Sequence, residues 1–306
     1  MKRDLLTIRD LSAEEILHLI SEARRMKKEW AGGSLRPTLG GKILGLVFVK
    51  PSTRTRVSFE AAMYRLGGHC IFMTARETQI GRQEPLADTA RVLSRYVDVV
   101  AVRTFAQEDV EELARFASIP IINALTDLYH PCQVLSDLVT IQEIRGNLDN
   151  LHVAWVGDGN NVAHSWINAA ARLGFTLSLA CPHQYRPDAE VLRWAQSQGR
   201  GSIRVVDDPK DAVAAADFLY TDVWASMGQE EEAEERRAIF RPYQINEELL
   251  AAAPPHAKVL HCLPAHRGEE ITEAVIEGPQ SVVFDQAENR LHLQMALLDR
   301  LVCGRS

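Results

Sequence analysis

Short apolar runs alternate with longer amphipathic segments along the whole chain, and this alternation restricts the fold more than any single motif. Runs at 43–49, 69–73, 97–102 and 119–123 have the length and composition of buried strands. Helical spacing fills the gaps. Ser12 followed by Glu15 is a capping box that opens a helix to about Trp30, with Ile16, Leu19, Ile20 and Ala23 on one side. Val57, Phe59, Met63 and Leu66 mark a second helix, and 85–93, 108–117 and 131–146 read as three more, with Pro85 in the first turn of its helix. The second half repeats the pattern, with strands at 151–156, 175–180, 203–206, 217–223, 257–262 and 281–284. Helices fall at about 161–173, 187–198 and 209–216, and a last one at about 287–302. Strands alternating with helices of this size form parallel sheets covered on both faces. The expectation is an α/β protein of two doubly wound domains, each a central, mostly parallel sheet flanked by helices. The first domain is expected over 1–145 and the second over 146–286, joined by the helix at 131–146, with the helix in 287–306 packing back on the first.

Composition limits the partners. The 306 residues are 46% hydrophobic and 25% charged, ordinary for a globular chain of two domains. A net charge of −7 argues against nucleic acid and anionic membrane, so an anionic ligand must be drawn in by local positive groups. No apolar run reaches about 18 residues, and the N-terminal segment becomes an amphipathic helix and not a signal peptide. The five cysteines are widely spaced, without a C-x-x-C pair, which points away from structural zinc and a disulfide framework and toward a reducing cytoplasm.

The stretch Lys50-Pro51-Ser52-Thr53-Arg54-Thr55-Arg56 joins the first strand to its helix. Ser52 or Thr53 is a natural N-cap. Arg54 and Arg56 then fall in the first turn, at the positive pole of the helix dipole, where a cation costs roughly 0.3–1 kcal/mol. Hydroxyls, free helix N–H groups and arginines converge sensibly there if a multiply charged anion sits among them. The alternative is a capped helix with solvated arginines.

Open parallel sheets bind ligands beyond the carboxyl ends of their strands. The polar residues at such ends are Ser52 to Arg56, Arg103, His130 with Gln133, Asn160 with Asn161, Asp222 to Met227, His261 to Pro264, and Glu288 to Arg290. Gly157-Asp158-Gly159-Asn160-Asn161 lacks the third glycine of a dinucleotide loop, and the next strand ends in Cys181-Pro182-His183 without the acidic residue that loop requires, so no nucleotide cofactor is expected.

Taken in order, the motifs resemble those of the aspartate/ornithine carbamoyltransferases. Phe48-Val49-Lys50-Pro51-Ser52-Thr53-Arg54-Thr55-Arg56 is similar to that family's carbamoyl-phosphate signature. Val102-Arg103-Thr104, His130-Pro131-Cys132-Gln133, the Gly157 to Asn161 loop and Ala287-Glu288-Asn289-Arg290 follow in the family's order. Asp222-Val223-Trp224-Ala225-Ser226-Met227-Gly228 and His261-Cys262-Leu263-Pro264 resemble the ornithine branch. The aspartate branch places a lysine in the loop near Gln79, and this chain has none between Lys50 and Lys210.

The resemblance implies carbamoyl transfer from carbamoyl phosphate to the side-chain amine of ornithine, in arginine metabolism, with no metal and no organic cofactor. It places Ser52, Thr53, Arg54 and Thr55 on the phosphate. Arg103, His130, Gln133 and Arg290, with Gln79 and the Cys262-Leu263 backbone, surround the carbamoyl group. Asp222 would pair with the α-ammonium group, Asn161, Ser226 and Met227 would hold the α-carboxylate, and Cys262 would lie by the reacting amine. Arg54, Thr55, Arg103, His130 and Cys262 would serve catalysis. An amine of pKa about 10.4 is mostly protonated at neutral pH, so an alkaline optimum is expected. The run from Glu230 to Glu235 reads as a solvated face, or as the loop that in relatives closes over the amino acid. A homotrimer, or a multiple of trimers, is implied as well. The same chemistry on aspartate, putrescine or N-acylated ornithine, or a non-catalytic anion-binding relative, stands as the alternative.

Overall fold

The computed structural model describes residues 2–74, 84–225 and 232–304. The chain divides into two compact units, Met1–Val139 with Glu288–Ser306, and Thr140–Ala287.

The first unit begins with α1 (Ala13–Ala31), capped by Ser12 and Glu15 acting reciprocally. Then follow β1 (Ile43–Phe48), α2 (Thr53–Arg65), β2 (His69–Thr74), α3 (Leu86–Leu93), β3 (Val99–Arg103), α4 (Gln107–Phe116), β4 (Ile121–Leu125) and α5 (Pro131–Arg145), whose residues from Thr140 onward belong to the second unit. The sheet order is β2-β1-β3-β4, with every pair parallel. β3 is buried at every residue, which explains its unbroken apolar run. Leu5 bridges the free edge of β4 through bonds to Ile121 and from Asn123. Pro85 stands just before α3 as its cap residue, one position earlier than its sequence suggests, because its carbonyl takes the first helical bond from Thr89.

The second unit holds β5 (His152–Val156), α6 (Asn161–Leu173), β6 (Thr176–Ala180), α7 (Ala189–Ser197), β7 (Ser202–Val206), α8 (Pro209–Val213) and β8 (Phe218–Thr221). It continues through α9 (Ala233–Phe240), α10 (Glu247–Ala251), β9 (Lys258–His261) and α11 (Glu273–Ile276) to the start of α12 (Val283–Cys303), whose residues from Glu288 onward belong to the first unit. The sheet order is β7-β6-β5-β8-β9, again all parallel. Trp155 stacks on Tyr220 at 5.1 Å, and Trp166 meets the same ring edge-on at 5.8 Å, beneath β5 and β8.

One expected strand is absent. Residues 281–284 form only a single bridge, from Ser281 to Val259, and α12 starts at Val283, because Val282 already accepts the helical bond from Gln286. Each sheet also reverses its winding once, between β1 and β3 in the first unit and between β5 and β8 in the second. These reversals are where ligand crevices open in doubly wound folds.

Candidate active site

In the first unit, β1 and β3 run side by side with Phe48 opposite Arg103, so the segments that leave them emerge together. Ser52 caps α2, its Oγ accepting from the Thr55 N–H at 3.2 Å and lying 3.0 Å from Thr55 Oγ1. No acidic residue occupies the first turn of α2. Arg290 of α12 donates from one terminal nitrogen to Thr55 Oγ1 at 2.7 Å and from the other to Gln133 Oε1 at 2.6 Å. Gln133 in turn donates to Asp137 at 2.8 Å, which sets its amide orientation. Thr55, Arg103, His130, Gln133 and Arg290 are all buried. Burial, and then the positive charges of Arg290, Arg103 and Arg54, hold the His130 pKa well below the ordinary imidazole value. The imidazole is therefore neutral at pH 7, and a neutral ring can still donate one hydrogen bond. Three guanidinium groups around a neutral, buried histidine concentrate positive charge, an arrangement chemically suited to a compact anion.

Arg56 does not join this group. It pairs with Glu60 one turn on, at 2.9 Å, and lies over the Phe72 ring at 3.7 Å. Of the two arginines in the first turn of α2, it is Arg54 whose charge acts on His130. Lys50 is buried, ion-paired with Asp127, and sits 4.3 Å over the Phe105 ring.

In the second unit, β5, β8 and β9 deliver the polar groups. Asp222, just past β8, is buried and accepts from Asn160 Nδ2 at 2.8 Å, Cys262 Sγ at 2.9 Å and the Val223 N–H at 2.8 Å. A carboxylate offers about four lone-pair positions, so among the described residues these three leave one acceptor position for a cationic group. Asn160 also caps α6, its Oδ1 accepting from the Val162 and Ala163 N–H groups. One amide thus orients both the helix start and the carboxylate. Asn161 is the first residue of α6. Cys262 and Leu263 follow β9, and Leu263 adopts a left-handed φ of 56°, a strained conformation for a leucine. Its N–H donates to His261 Nδ1 at 2.9 Å, which leaves the proton of His261 on Nε2, facing Glu270 at 3.1 Å. Glu270 also accepts from the His266 N–H, so one buried carboxylate closes the whole turn.

The glycines of Gly157-Asp158-Gly159 have a packing explanation. A side chain on Gly159 would meet the Pro187 nitrogen at 2.3 Å, and Gly157 has a φ of 134°. Close approach of two backbones requires the first and a positive φ the second. Asp158 between them pairs with Arg236 of α9 at 2.5 Å, and Arg236 also donates to the Trp224 carbonyl and lies 4.3 Å over the Tyr185 ring. Burial pushes the Asp158 carboxyl up to about 7, against the pull of Arg236.

Two groups among the described residues place three potential metal donors within 4.8 Å of one another: Asp222 with His261 and Cys262, and His266 with Glu269 and Glu270. In the first, both ring nitrogens of His261 are already engaged.

The family description "Aspartate/ornithine carbamoyltransferase, carbamoyl-P binding domain" matches residues 3–143, and "Aspartate/ornithine carbamoyltransferase, Asp/Orn binding domain" matches residues 149–301. The chain belongs to the aspartate/ornithine carbamoyltransferase family. An ornithine carbamoyltransferase of Desulfotalea psychrophila is 56% identical over 99% of this chain and 100% of its own length. The ornithine carbamoyltransferase structure from Pyrococcus furiosus superposes with a TM-score of 0.95 at 51% identity, over 100% of this chain and 98% of that one. An anabolic ornithine carbamoyltransferase from Campylobacter jejuni gives 0.93 at 41%, over the full length of both chains.

Within this family frame, the first unit brings together Ser52, Thr55, Arg103, His130, Gln133 and Arg290, and the second brings together Asp222 and Cys262. Gln79, Ser226 and Met227 lie outside the described residues, as do positions 229–231 of the acidic segment. Glu232, Glu234 and Glu235 are exposed around the start of α9. Asn160 stood among the strand-end polar residues without an assigned role, and the Asp158–Arg236 pair was not expected. A Gly-Asp-Gly-Asn string before a helix points to Asn160 as a cap, but nothing in the spacing connects Arg236 to Asp158, 78 positions away.

Proposed function

We propose that the protein transfers the carbamoyl group of carbamoyl phosphate to the side-chain amine of L-ornithine, giving L-citrulline and phosphate, in arginine biosynthesis. The observation that carries this is the Arg290 fork, which joins Thr55 to Gln133 beside a neutral, buried His130. Ser52, Thr53, Arg54 and Thr55 hold the phosphate at the start of α2, where helix N–H groups and Arg54 favour it. Arg103 and His130 donate to the carbamoyl oxygen, with Gln133, Arg290, the Leu263 backbone and Gln79 around the same group. The neutral amine nitrogen attacks the carbonyl carbon, the oxygen takes up negative charge, the carbon–oxygen bond to phosphate breaks, and the proton the amine gives up leaves with the phosphate. Arg54 and Thr55 meet the charge that grows on the departing phosphate. Preorganised donors of this kind are each worth about 10²–10³ in rate.

Asp222 takes the α-ammonium group of ornithine in its remaining acceptor position, and Asn161, Ser226 and Met227 take the α-carboxylate. Cys262, already donating to Asp222, lines the path of the reacting amine. Putrescine lacks the carboxylate, and an N-acylated ornithine lacks the charge that Asp222 would pair with. The enzyme works as a homotrimer or a multiple of trimers, in the cytoplasm. Among the described residues no helix is long and apolar enough to cross a membrane.

The test is formation of a ureido product from carbamoyl phosphate with a panel of amines. Turnover is expected with ornithine. Turnover with aspartate, putrescine or N-acetylornithine and none with ornithine would overturn the assignment.

A further inference from the structure

Beneath the first-unit site lies a buried polar network that no step of the transfer uses. Asn123 and Thr126 are fully buried, and Gln107, Tyr129 and His130 nearly so. β4 ends at Leu125 and α5 starts at Pro131, so residues 126–130 are the whole connection that carries His130. Thr126 closes it. Its N–H donates to the Tyr129 carbonyl at 2.9 Å, and its hydroxyl oxygen accepts from the Tyr129 N–H at 3.0 Å. The hydroxyl has one proton. It lies 2.8 Å from Gln107 Oε1 and 3.3 Å from the Tyr129 carbonyl, so Gln107 receives it. Gln107 Oε1 accepts again from Asn123 Nδ2 at 3.1 Å, and the other amide proton of Asn123 goes to the Leu6 carbonyl at 2.9 Å.

Gln107 starts α4, four residues after Arg103. It therefore ties the connection that leaves Arg103 to the connection that delivers His130. Two further bonds run in parallel: the Thr104 N–H to the Leu125 carbonyl at 3.0 Å and the Asp127 N–H to the Phe105 carbonyl at 2.8 Å. Asn123 is the polar exception among the apolar residues Ile121, Ile122 and Ala124 of β4. An apolar side chain there would avoid the desolvation that a buried amide suffers, so the amide is better explained by what it orients.

We propose that Gln107 and Thr126 are positioning residues that set the separation of Arg103 and His130, the two donors to the carbamoyl oxygen. This rests on the reading of those donors given above. A donor pair aimed at developing charge must be held to roughly 0.5 Å, by residues that are themselves locked by packing and hydrogen bonds. The hydroxyl of Thr126 both closes the His130 turn and reaches Gln107.

The experiment measures kcat, both KM values and the affinity of two ligands in Thr126→Val, Thr126→Ser and Gln107→Met. Phosphonoacetamide carries the phosphate-like group and the carbonyl; inorganic phosphate carries only the former. For Thr126→Val, kcat is expected to fall at least tenfold, phosphonoacetamide to bind at least tenfold more weakly, and phosphate affinity and ornithine KM to stay within twofold. Thr126→Ser is expected to recover kcat to within threefold of the parent. Gln107→Met, which leaves the turn itself closed, is expected to show the same pattern with a smaller loss. Equal weakening of both ligands, or parental kcat in both Thr126→Val and Gln107→Met, overturns the proposal. His130→Asn separates it from the underlying assignment. If that variant keeps parental kcat and phosphonoacetamide affinity, the role of His130 fails. If it loses both while the network variants do not, only the positioning role fails.

Discussion

Replacement of Arg236 by methionine makes the buried Asp158 carboxyl into a pH-dependent weakness of the second unit. Arg236 is nearly inaccessible and pairs with Asp158 at 2.5 Å. With the pair intact, burial places the Asp158 carboxyl at about 7, and the attraction and hydrogen bond of Arg236 are what keep it from rising further. An acid whose folded pKa lies above its unfolded value of about 3.9 keeps its proton in the native state after the unfolded chain has lost it. Stability then falls as pH rises between the two values, by up to ~1.4 kcal/mol per pH unit. In the parent that fall is complete soon after pH 7. In Arg236→Met it continues, because the carboxyl titrates higher still. Between pH 6 and 8 the variant loses roughly twice what the parent loses from this group, so the gap widens by roughly 1 kcal/mol. Breaking a buried pair by removing one partner costs roughly 3–5 kcal/mol where the remaining charge is retained. The assay is urea denaturation at pH 6, 7 and 8 followed by tryptophan fluorescence, since four of the five tryptophans lie in the second unit. Asp158→Asn in the same background should remove the widening, a double-mutant cycle that isolates the pair. A gap between parent and variant that stays constant from pH 6 to 8 would refute the reasoning. Because Asp158 lies two residues before Asn160, the partner of Asp222, the variant should also show a raised ornithine KM.

Three further outcomes follow from the site. Arg54→Ala should lower kcat/KM for carbamoyl phosphate at least tenfold in steady-state kinetics, and a smaller change would contradict a phosphate role for Arg54. His130→Gln should lower kcat by about 10²–10³; because the parent imidazole is held neutral well below the ordinary histidine range, the kcat profile of the parent should show no limb near pH 6.5, and the rising limb should belong to the amine. Cys262→Ser should weaken the ornithine KM while leaving carbamoyl-phosphate affinity little changed, and the reverse pattern would move Cys262 to the other substrate.

Much of the fold was legible because its signals are local. The Ser12–Glu15 capping box and the apolar runs of β1, β3, β5 and β8 each depend on residues within one element. The 281–284 segment misleads for the same reason: an apolar run does not reveal whether a second bridged pair will follow the first, and here only Ser281 pairs. Arg56 is a partial case. Its partner Glu60, four residues on, stands in the sequence as an ordinary helical ion pair, whereas its stacking on Phe72 requires β2 to return alongside α2.

Residue order alone determined the alternation of strand and helix, the parallel sheets that follow from it, and the strand ends at which the polar motifs stand. It did so because period, caps and breakers act over a few residues. Tertiary structure alone decided that Arg290 reaches Thr55 across 235 positions, that Arg236 pairs with Asp158, and that Thr126 hands its proton to Gln107. These bonds join side chains whose nearness is set by sheet order and helix placement. Their worth comes from burial, where an incomplete polar group is costly and a complete one is held in a single orientation.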